Sequence, residues 1–291
     1  MVADLSGVDA GKRLRRTYAV GDIHGRLDLL DAAIEAIKHH ARGCSFRVVF
    51  LGDYVDRGPE SRGVVERLIE LQKIWPVVCL KGNHEDLMLR ALVEPSRAAR
   101  SSWHENGGGE TLRSYGVGPE DEAMGLIPGE HLRWLLSLPL TTGDPHRIDV
   151  HAGLMPKLAT HRQKEQTCLW IREAFLRGRP GDFEAHVVHG HTPLWSGKPD
   201  PAQPELLAHR TNLDTGAFAT GVLSTGVFDD DAPGGPMEVI RICGRPMPHL
   251  ALDQQEEPPA PLPGGDSALK RLVRHFQGRG DRARWPGAGP S

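Results

Sequence analysis

Residues 18–25 have the sequence YAVGDIHG, a short apolar run that ends abruptly in two side chains able to bind a metal ion. Four later stretches repeat this arrangement: VVFLGDYVDRG at 48–58, VVCLKGNHE at 77–85, IDVHAG at 148–153 and HVVHGHTP at 186–193. Each apolar run is typical of a buried strand. Open α/β sheets bind their ligands beyond the carboxyl ends of parallel strands, so the five stretches predict one shared site.

Helical patterns separate these strand candidates. Apolar residues recur at spacings of three and four across 26–41 and again after Pro59, which predicts two amphipathic helices. The stretches 222–228 and 237–242 are predicted to form an antiparallel pair of strands. The alternation of strands and helices indicates an α/β fold with parallel strands and covering helices.

Composition limits the domain count and the class of partner. A chain of 291 residues with 39% hydrophobic residues is long enough for one large α/β domain or two small ones. A net charge of -3 gives no extended basic face, which disfavours a nucleic-acid binder. Neither a signal peptide nor a membrane span is predicted, so we expect a cytoplasmic protein without a membrane partner. The four cysteines lack C-x-x-C spacing and are interpreted as reduced core thiols.

The predicted organisation has three parts. Residues 1–15 are expected to be a flexible leader, and 16–252 a catalytic domain with a helical insertion at about 94–145. Residues 253–291 are rich in proline and glycine and are expected to be mostly disordered. The pattern of a short basic helix at 267–276 is interpreted as part of that solvated tail, and a docking element is the alternative.

The residue types at the strand ends indicate the chemistry. Asp22, His24, Asp53, Asn83 and the later histidines form a mixed oxygen and nitrogen set, which suits manganese, iron or zinc better than calcium. A carboxylate can bridge two cations, and two ions about 3.5 to 4 Å apart would activate a bridging water and hold a phosphoryl group. The sequence therefore predicts a phosphoester hydrolase with two divalent metal ions, and manganese is the expected metal.

Three signatures occur in a fixed order: Gly-Asp-x-His-Gly, Gly-Asp-x-Val-Asp-Arg-Gly and Gly-Asn-His-Glu. Together they resemble the phosphoprotein phosphatase family of calcineurin-like metallophosphoesterases, in its bacterial and bacteriophage branch. Trp103 and the stretches 106–109, 170–172, 190–193 and 214–217 also look like that branch. The resemblance covers about residues 18–243.

This resemblance implies a β-sandwich of mixed sheets flanked by helices, with the active site at the carboxyl ends of the strands. It also implies two ligand sets that share one carboxylate. The first ion would be held by Asp22, His24 and Asp53. Asp53 would bridge to the second, which would be held by Asn83, His151 and His191. On spacing alone His189 is an alternative to His191, since strand alternation sends both side chains to the same side; the resemblance favours His191.

His84 follows a predicted ligand, Asn83, so its imidazole should enter the same cleft and donate a proton to the departing alkoxide. We expect Asp56 to pair with His84, favouring its imidazolium form and fixing its orientation. Arg57 can bind the phosphate oxygens through two parallel hydrogen bonds. Arg172 is given the same role by the resemblance alone.

The resemblance implies serine/threonine protein phosphatase activity, with in-line attack by a metal-bridging hydroxide. The main alternative is symmetrical hydrolysis of diadenosine tetraphosphate by a sister branch that typically has Gly-Asp-x-Val-Ala-Arg-Gly, Gly-Asn-His-Asp and Gly-His-Trp. This chain has Asp56, Glu85 and Thr192 at the discriminating positions, which favours the phosphatase. A non-catalytic phosphoprotein-binding scaffold is an alternative of another class. Its ligand positions would be free to change, and here all six are chemically competent.

Overall fold

The computed structural model describes residues 15–93, 97–118, 126–193 and 202–247. The strands are β1 Arg15–Val20, β2 Ser45–Phe50, β3 Val77–Cys79, β4 Thr141–Gly143, β5 Arg147–Val150, β6 His186–His189, β7 Glu205–Leu206, β8 Arg210–Asn212, β9 Val222–Asp229 and β10 Glu238–Cys243. The helices are α1 Leu27–His40, α2 Ser61–Ile74, α3 Asn83–Val93, α4 Arg97–Trp103, α5 Gly109–Ser114, α6 Gly129–Ser137, α7 Glu165–Trp170, α8 Glu173–Leu176 and α9 Ala217–Thr220. A turn over His104–Gly108, kinked at Gly107, joins α4 to α5, and a 3-10 turn spans Thr160–Arg162.

Two mixed sheets form a sandwich, as predicted. The first has the order β10-β9-β1-β2-β3, and the second has the order β4-β5-β6-β8-β7. In the first sheet β1, β2 and β3 are parallel, and in the second β5, β6 and β8 are parallel. The expected antiparallel pair at the chain's later strands is confirmed as β9 and β10.

Strand alternation divides the core into layers. Ala19, Val49 and Leu51 pack between the sheets, where they meet Val188 and Leu213 of the second sheet. Their neighbours along β1 and β2 point to the opposite face, where α1 and α2 cover them. Each fully buried valine or leucine side chain contributes about 1.5 to 3 kcal/mol to folding. Because register is set by these buried faces, the ends of the parallel strands are held in line.

The predicted helices occur close to their expected positions. The helix expected at 26–41 is α1, and the one expected after Pro59 is α2, which begins at Ser61. Residues 97–114 and 129–137 of the predicted insertion are largely helical, whereas Thr141–Gly143 forms β4 at the edge of the second sheet. The leader before Arg15, and the tail with its predicted basic helix, lie outside the described residues.

Two expectations about burial are wrong. His131 lies in a polar helical stretch that predicts a surface residue, but its side chain is buried, and the Tyr115 hydroxyl lies 2.9 Å from its Nδ1 atom. Cys243 is exposed because it ends the edge strand β10, whereas Cys79 and Cys168 are buried thiols as expected. In the described part of the chain, no helix combines the length and the apolar character needed to cross a membrane.

Candidate metal centre

Side chains from both sheets meet at one edge of the sandwich. Asp22 and His24 follow β1, Asp53 follows β2, and Asn83 follows β3 as the first residue of α3. From the second sheet, His151 follows β5 and His191 follows β6 by two residues. All six predicted ligands are buried, with at most 4% of any of them exposed. The structure therefore brings together residues that are up to 169 positions apart in the sequence.

Asp53 lies between two groups of possible ligand atoms. Its Oδ2 is 3.5 Å from Nε2 of His24, and its Oδ1 is 3.4 Å from Nε2 of His151. His84 joins the first group and His191 joins the second, and the ligand atoms within each group lie within 4.8 Å of one another. One carboxylate thus faces both groups with different oxygens, which is the arrangement that bridging two cations requires.

Asn83 completes the second group. Its Oδ1 atom is 2.8 Å from Nε2 of His151 and 2.9 Å from Nδ1 of His191. The carbonyl oxygen of this side chain is therefore directed at the point where the two imidazoles converge.

Asp22 is held against the second sheet. Its Oδ2 accepts a hydrogen bond of 3.0 Å from the backbone N–H of His191. Within the described residues, Asp22 Oδ1 and His191 Nε2 are buried atoms without a hydrogen-bond partner. Leaving such atoms unsatisfied costs about 1 to 3 kcal/mol each, and coordination to a cation would remove that cost. The compact group with His24 and Asp53 includes the imidazole of His84, and Asp22 lies beside it.

The electrostatics of the site favour added positive charge. Burial raises the pKa of Asp53 to about 7, and burial together with the charges of Asp214 and Asp53 raises the pKa of Asp22 well above its usual range. Burial likewise lowers the pKa of His151 to about 4, which keeps this imidazole in the neutral form that binds metals. Bound divalent cations would reverse the carboxyl shifts. The residues present therefore fit a pair of divalent ions.

The backbone is strained where these ligands lie. Among the described residues other than glycine, six have a positive φ, and five of these belong to the predicted site: His24, Asp53, Asp56, Arg57 and His191. Such conformations cost of order 1 to 3 kcal/mol each and concentrate at functional sites. Gly82 and Gly190, which lie against these ligands, are required for a different reason, because a side chain would have no room. A Cβ atom at Gly82 would overlap the Asp53 carboxylate, and one at Gly190 would overlap Oδ1 of Asp22.

The close approach at Gly190 leads to a test. Gly190→Ala should displace the Asp22 carboxylate and weaken metal binding by about 10- to 100-fold, as disturbed support of a ligand commonly does. The measurement is calorimetric titration of metal-stripped protein with Mn²⁺. Gly235→Ala is the matched control, because a Cβ atom there would meet its nearest neighbour, His186 Cε1, at an ordinary 3.5 Å. Equal affinity in the two variants would contradict this account of Gly190.

Glu85 is a supporting residue that the sequence analysis did not identify as part of the site. Its buried carboxylate accepts backbone hydrogen bonds from Asp53 at 2.9 Å, Tyr54 at 2.8 Å and Gly82 at 2.8 Å. These bonds fasten the loop after β2 to the loop after β3. The position of an acid directly after two predicted site residues, Asn83 and His84, was the available signal in the sequence.

Asp214 was also missed as a site residue. It follows β8, it is buried, and its Oδ1 accepts a 2.8 Å hydrogen bond from the Gly216 backbone. Burial raises its pKa to about 6, and its charge contributes to the raised pKa of Asp22. The stretch 214–217 was part of the family resemblance, but β8 was not predicted as a strand.

His84 and Asp56 form a buried pair. Nδ1 of His84 lies 2.8 Å from Oδ2 of Asp56, and its Nε2 lies 4.0 Å from Oδ2 of Asp53. Burial, followed by the charge of Arg57, lowers the pKa of His84 well below its usual range. The expectation that Asp56 favours the imidazolium form stays a prediction. Burial also raises the pKa of Asp56. A bound phosphate would add negative charge and favour the imidazolium.

Two arginines border the cluster. Arg57 Nη1 donates to Nε2 of His24 at 3.1 Å, and its guanidinium lies 4.6 Å from the centre of the Phe218 ring. Arg172 lies between α7 and α8, and its Nη1 donates to the His191 carbonyl at 3.2 Å and to Thr192 Oγ1 at 3.0 Å. Both are therefore within reach of an anion bound at the cluster.

The two histidines after Val188 point to different places. His191 is in the cluster, whereas the ring of His189 packs on Phe175 and its Nε2 accepts a 3.2 Å hydrogen bond from Arg210. The expectation that strand alternation sends both to the same side is wrong, since β6 ends at His189 and His191 has a φ of 68°.

Comparison with known proteins adds the family context. The sequence model of the family described as Calcineurin-like phosphoesterase matches residues 15–219. Serine/threonine-protein phosphatase 1 of Salmonella typhimurium is 30% identical over 225 residues, which cover 73% of this chain and 92% of that protein.

Relatives with a different described activity also match. The symmetrical bis(5'-nucleosyl)-tetraphosphatase of Pseudomonas syringae is 30% identical over 51% of this chain and 44% of its own length. The corresponding protein of an Acidovorax species is 29% identical over 62% of this chain and 58% of its own length. This chain thus spans about half the length of these two relatives. A solved structure described provisionally as a diadenosine tetraphosphatase is 25% identical, with a TM-score of 0.53, over 79% of this chain and 94% of its own.

Proposed function

Because the chain belongs to the calcineurin-like phosphoesterase family, we propose that it hydrolyses phosphomonoesters whose leaving group is an alkoxide, as in phosphoserine and phosphothreonine proteins. The matched family is one of metal-dependent phosphoesterases, so the reaction class is hydrolysis of a phosphoester. The substrate, the metal and the role of each residue are the proposed parts.

We assign the ligands to two ions that share Asp53. Asp22, His24 and Asp53 would hold the first, and Asn83, His151 and His191 would complete the second together with Asp53. When bound, such ions supply Lewis acidity and acidify water at neutral pH. The donor set suits manganese, with iron or zinc as alternatives. Arg57 and Arg172 would bind the phosphoryl oxygens and stabilise the negative charge that increases on them during transfer.

The observation that carries the choice of substrate is the 2.8 Å contact between His84 and Asp56. An alkoxide leaving group is a strong base, so its departure benefits from a proton donor positioned beside it. His84 presents Nε2 toward the shared carboxylate while Asp56 holds the opposite nitrogen. The pair therefore has the geometry of a general acid with its orienting carboxylate.

The alternative substrate makes a different demand. Symmetrical cleavage of diadenosine tetraphosphate releases a nucleotide phosphate, and phosphate groups have a second pKa of only about 6. Such a leaving group departs without protonation near neutral pH. A buried Asp56 that orients a proton donor would then have little use, which favours the monoester. The matches to symmetrical tetraphosphatases keep this activity as the second candidate.

A side-by-side assay decides between the candidates. Metal-stripped protein is given a phosphoserine peptide or diadenosine tetraphosphate, with and without Mn²⁺. We expect manganese-dependent phosphate release from the peptide, with kcat/KM at least about tenfold above that for the dinucleotide, a difference of about 1.4 kcal/mol in transition-state binding. Turnover of the dinucleotide alone would overturn the proposal. Absence of turnover on both would support the non-catalytic scaffold.

A further inference from the structure

We propose that the helical segment formed by residues 97–114 positions the proton donor of the reaction. In this inference, Trp103 and Thr111 are positioning residues that fix the Asp56 carboxylate, and Asp56 in turn aims His84. The inference rests on the proposed function, because it concerns the same proton donor.

The Asp56 carboxylate accepts hydrogen bonds from two side chains of this segment. Trp103 Nε1 donates to both oxygens, at 2.9 Å to Oδ1 and 3.0 Å to Oδ2. The Thr111 hydroxyl donates to Oδ1 at 2.6 Å. His84 approaches Oδ2 at 2.8 Å. Both oxygens of the carboxylate therefore have a donor from the segment, and Oδ2 also contacts the imidazole.

Thr111 also holds the backbone of Asp56. Its Oγ1 accepts the Asp56 N–H at 2.8 Å and lies 3.0 Å from Ser61 Oγ, which is itself 3.0 Å from the same N–H. Asp56 has a φ of 71°, a conformation that an ordinary residue adopts only at a cost. One side chain thus fixes both the backbone and the carboxylate of the strained residue.

The kinked turn between α4 and α5 brings the segment close to Arg57 as well. The Gly107 carbonyl accepts the Arg57 N–H at 3.2 Å, and Gly107 has a φ of +98°. A Cβ atom at Gly108 would lie 2.6 Å from the Trp103 ring, so only glycine lets the indole occupy its position.

These bonds matter because Asp56 is fully buried. Without the indole and hydroxyl donors, the carboxylate would be free to rotate, and the imidazole would lose its fixed orientation. Small misplacements of a catalytic group reduce rate steeply. The sequence between β3 and β5 would then contribute to catalysis without contacting the substrate.

The test uses Trp103→Phe, Thr111→Val and Thr111→Ser. Each variant is assayed with a phosphoserine peptide, which has a poor leaving group, and with p-nitrophenyl phosphate, which has a good one. We expect Trp103→Phe and Thr111→Val to lower kcat on the peptide by about 10- to 100-fold, the usual effect of losing a supporting partner. On p-nitrophenyl phosphate the loss should be below about threefold, since little protonation is needed. KM and bound metal should stay unchanged, and Thr111→Ser should recover most of the peptide rate.

Trp134→Phe is the matched control, because its indole donates to Gln72 Oε1 at 2.6 Å instead of to Asp56. We expect wild-type kcat for it on both substrates. If thermal unfolding shows that Trp103→Phe does not fold, the test rests on Thr111→Val, through the ratio of its kcat on the peptide to its kcat on p-nitrophenyl phosphate. Equal losses on the two substrates, or none, would overturn the positioning role. A wild-type protein inactive on both substrates would overturn the proposed function, and this inference with it.

Discussion

Asp53→Asn is expected to lower metal-dependent turnover by at least about 10³-fold while the protein remains folded. Asp53 presents one oxygen toward His24 and the other toward His151, so it is the one side chain shared by both groups of ligand atoms. An asparagine has the same shape but keeps a single acceptor oxygen and no charge. Loss of metal assistance is worth several kcal/mol, and each 1.36 kcal/mol is a tenfold change in rate. Turnover of the phosphoserine peptide and bound metal per chain are the measurements.

The same variant has an expected effect on the metal-free protein. Burial raises the folded-state pKa of Asp53 to about 7, above the unfolded value of about 3.9. The folded state therefore binds a proton that the unfolded state has released, and stability falls as pH rises between these values. Above pH 7 the penalty for the buried anion is complete. At pH 8, metal-free Asp53→Asn should unfold at a temperature equal to or above that of the wild type, and added Mn²⁺ should no longer raise it.

Asp149→Asn is the control for this experiment. Asp149 is another fully buried aspartate in β5, and burial raises its pKa to about 7 as well. It is not part of the ligand cluster, so its replacement should leave turnover and metal content unchanged. An equal loss of turnover in Asp149→Asn would attribute the effect of Asp53→Asn to general damage. Full activity with two bound ions in Asp53→Asn would refute the bridging role.

The strand ends could be predicted from the sequence because the pattern there is local. Val48 to Leu51 is an uninterrupted apolar run, and the glycine after it marks where the strand must stop. Strands buried on both faces carry this signature, and the motif residues follow directly. The order of parallel strands then brings Asp22, Asp53 and Asn83 to one edge.

The features that were missed depend on contacts distant in the sequence. Strand β8 is only three residues long, and its residues, Arg210 to Asn212, are polar although buried. No apolar run marks such a strand, so Asp214 was not placed. His131 and Glu85 are buried by partners that only the folded chain supplies. The contact of Trp103 with Asp56 spans 47 positions. A motif match indicates that a residue is typical of a family, but it does not indicate which residues that side chain contacts.

The position of His191 shows the limit of strand periodicity. Alternation holds only while the backbone is extended, and here the strand ends at His189. The turn at Gly190 rotates the chain so that His191 faces Asn83 while His189 remains against Phe175. The left-handed conformation of His191 that produces this difference has no signature in the spacing of the two histidines.

His84→Asn is the second substitution from which we expect a large effect. On a phosphoserine peptide, kcat should fall by about 10²- to 10⁴-fold, the usual contribution of a general acid. On p-nitrophenyl phosphate the fall should be much smaller, because that leaving group departs with little proton transfer. His131→Asn is the control for removing a buried imidazole, since His131 is hydrogen-bonded to Tyr115 and lies outside the cluster. It should retain the wild-type ratio between the two substrates.

The same experiment separates two roles that the geometry alone leaves open for His84. Its imidazole belongs to the group that includes His24 and Asp53, so it has the position of a ligand as well as of an acid. If His84 is a ligand, its removal would lower the metal content and reduce kcat on both substrates in parallel. If His84 is the general acid, its removal would leave two ions bound and reduce kcat on the peptide selectively. The contact of Nδ1 with Asp56 favours the acid, because it turns Nε2 toward the carboxylate that both ions would share.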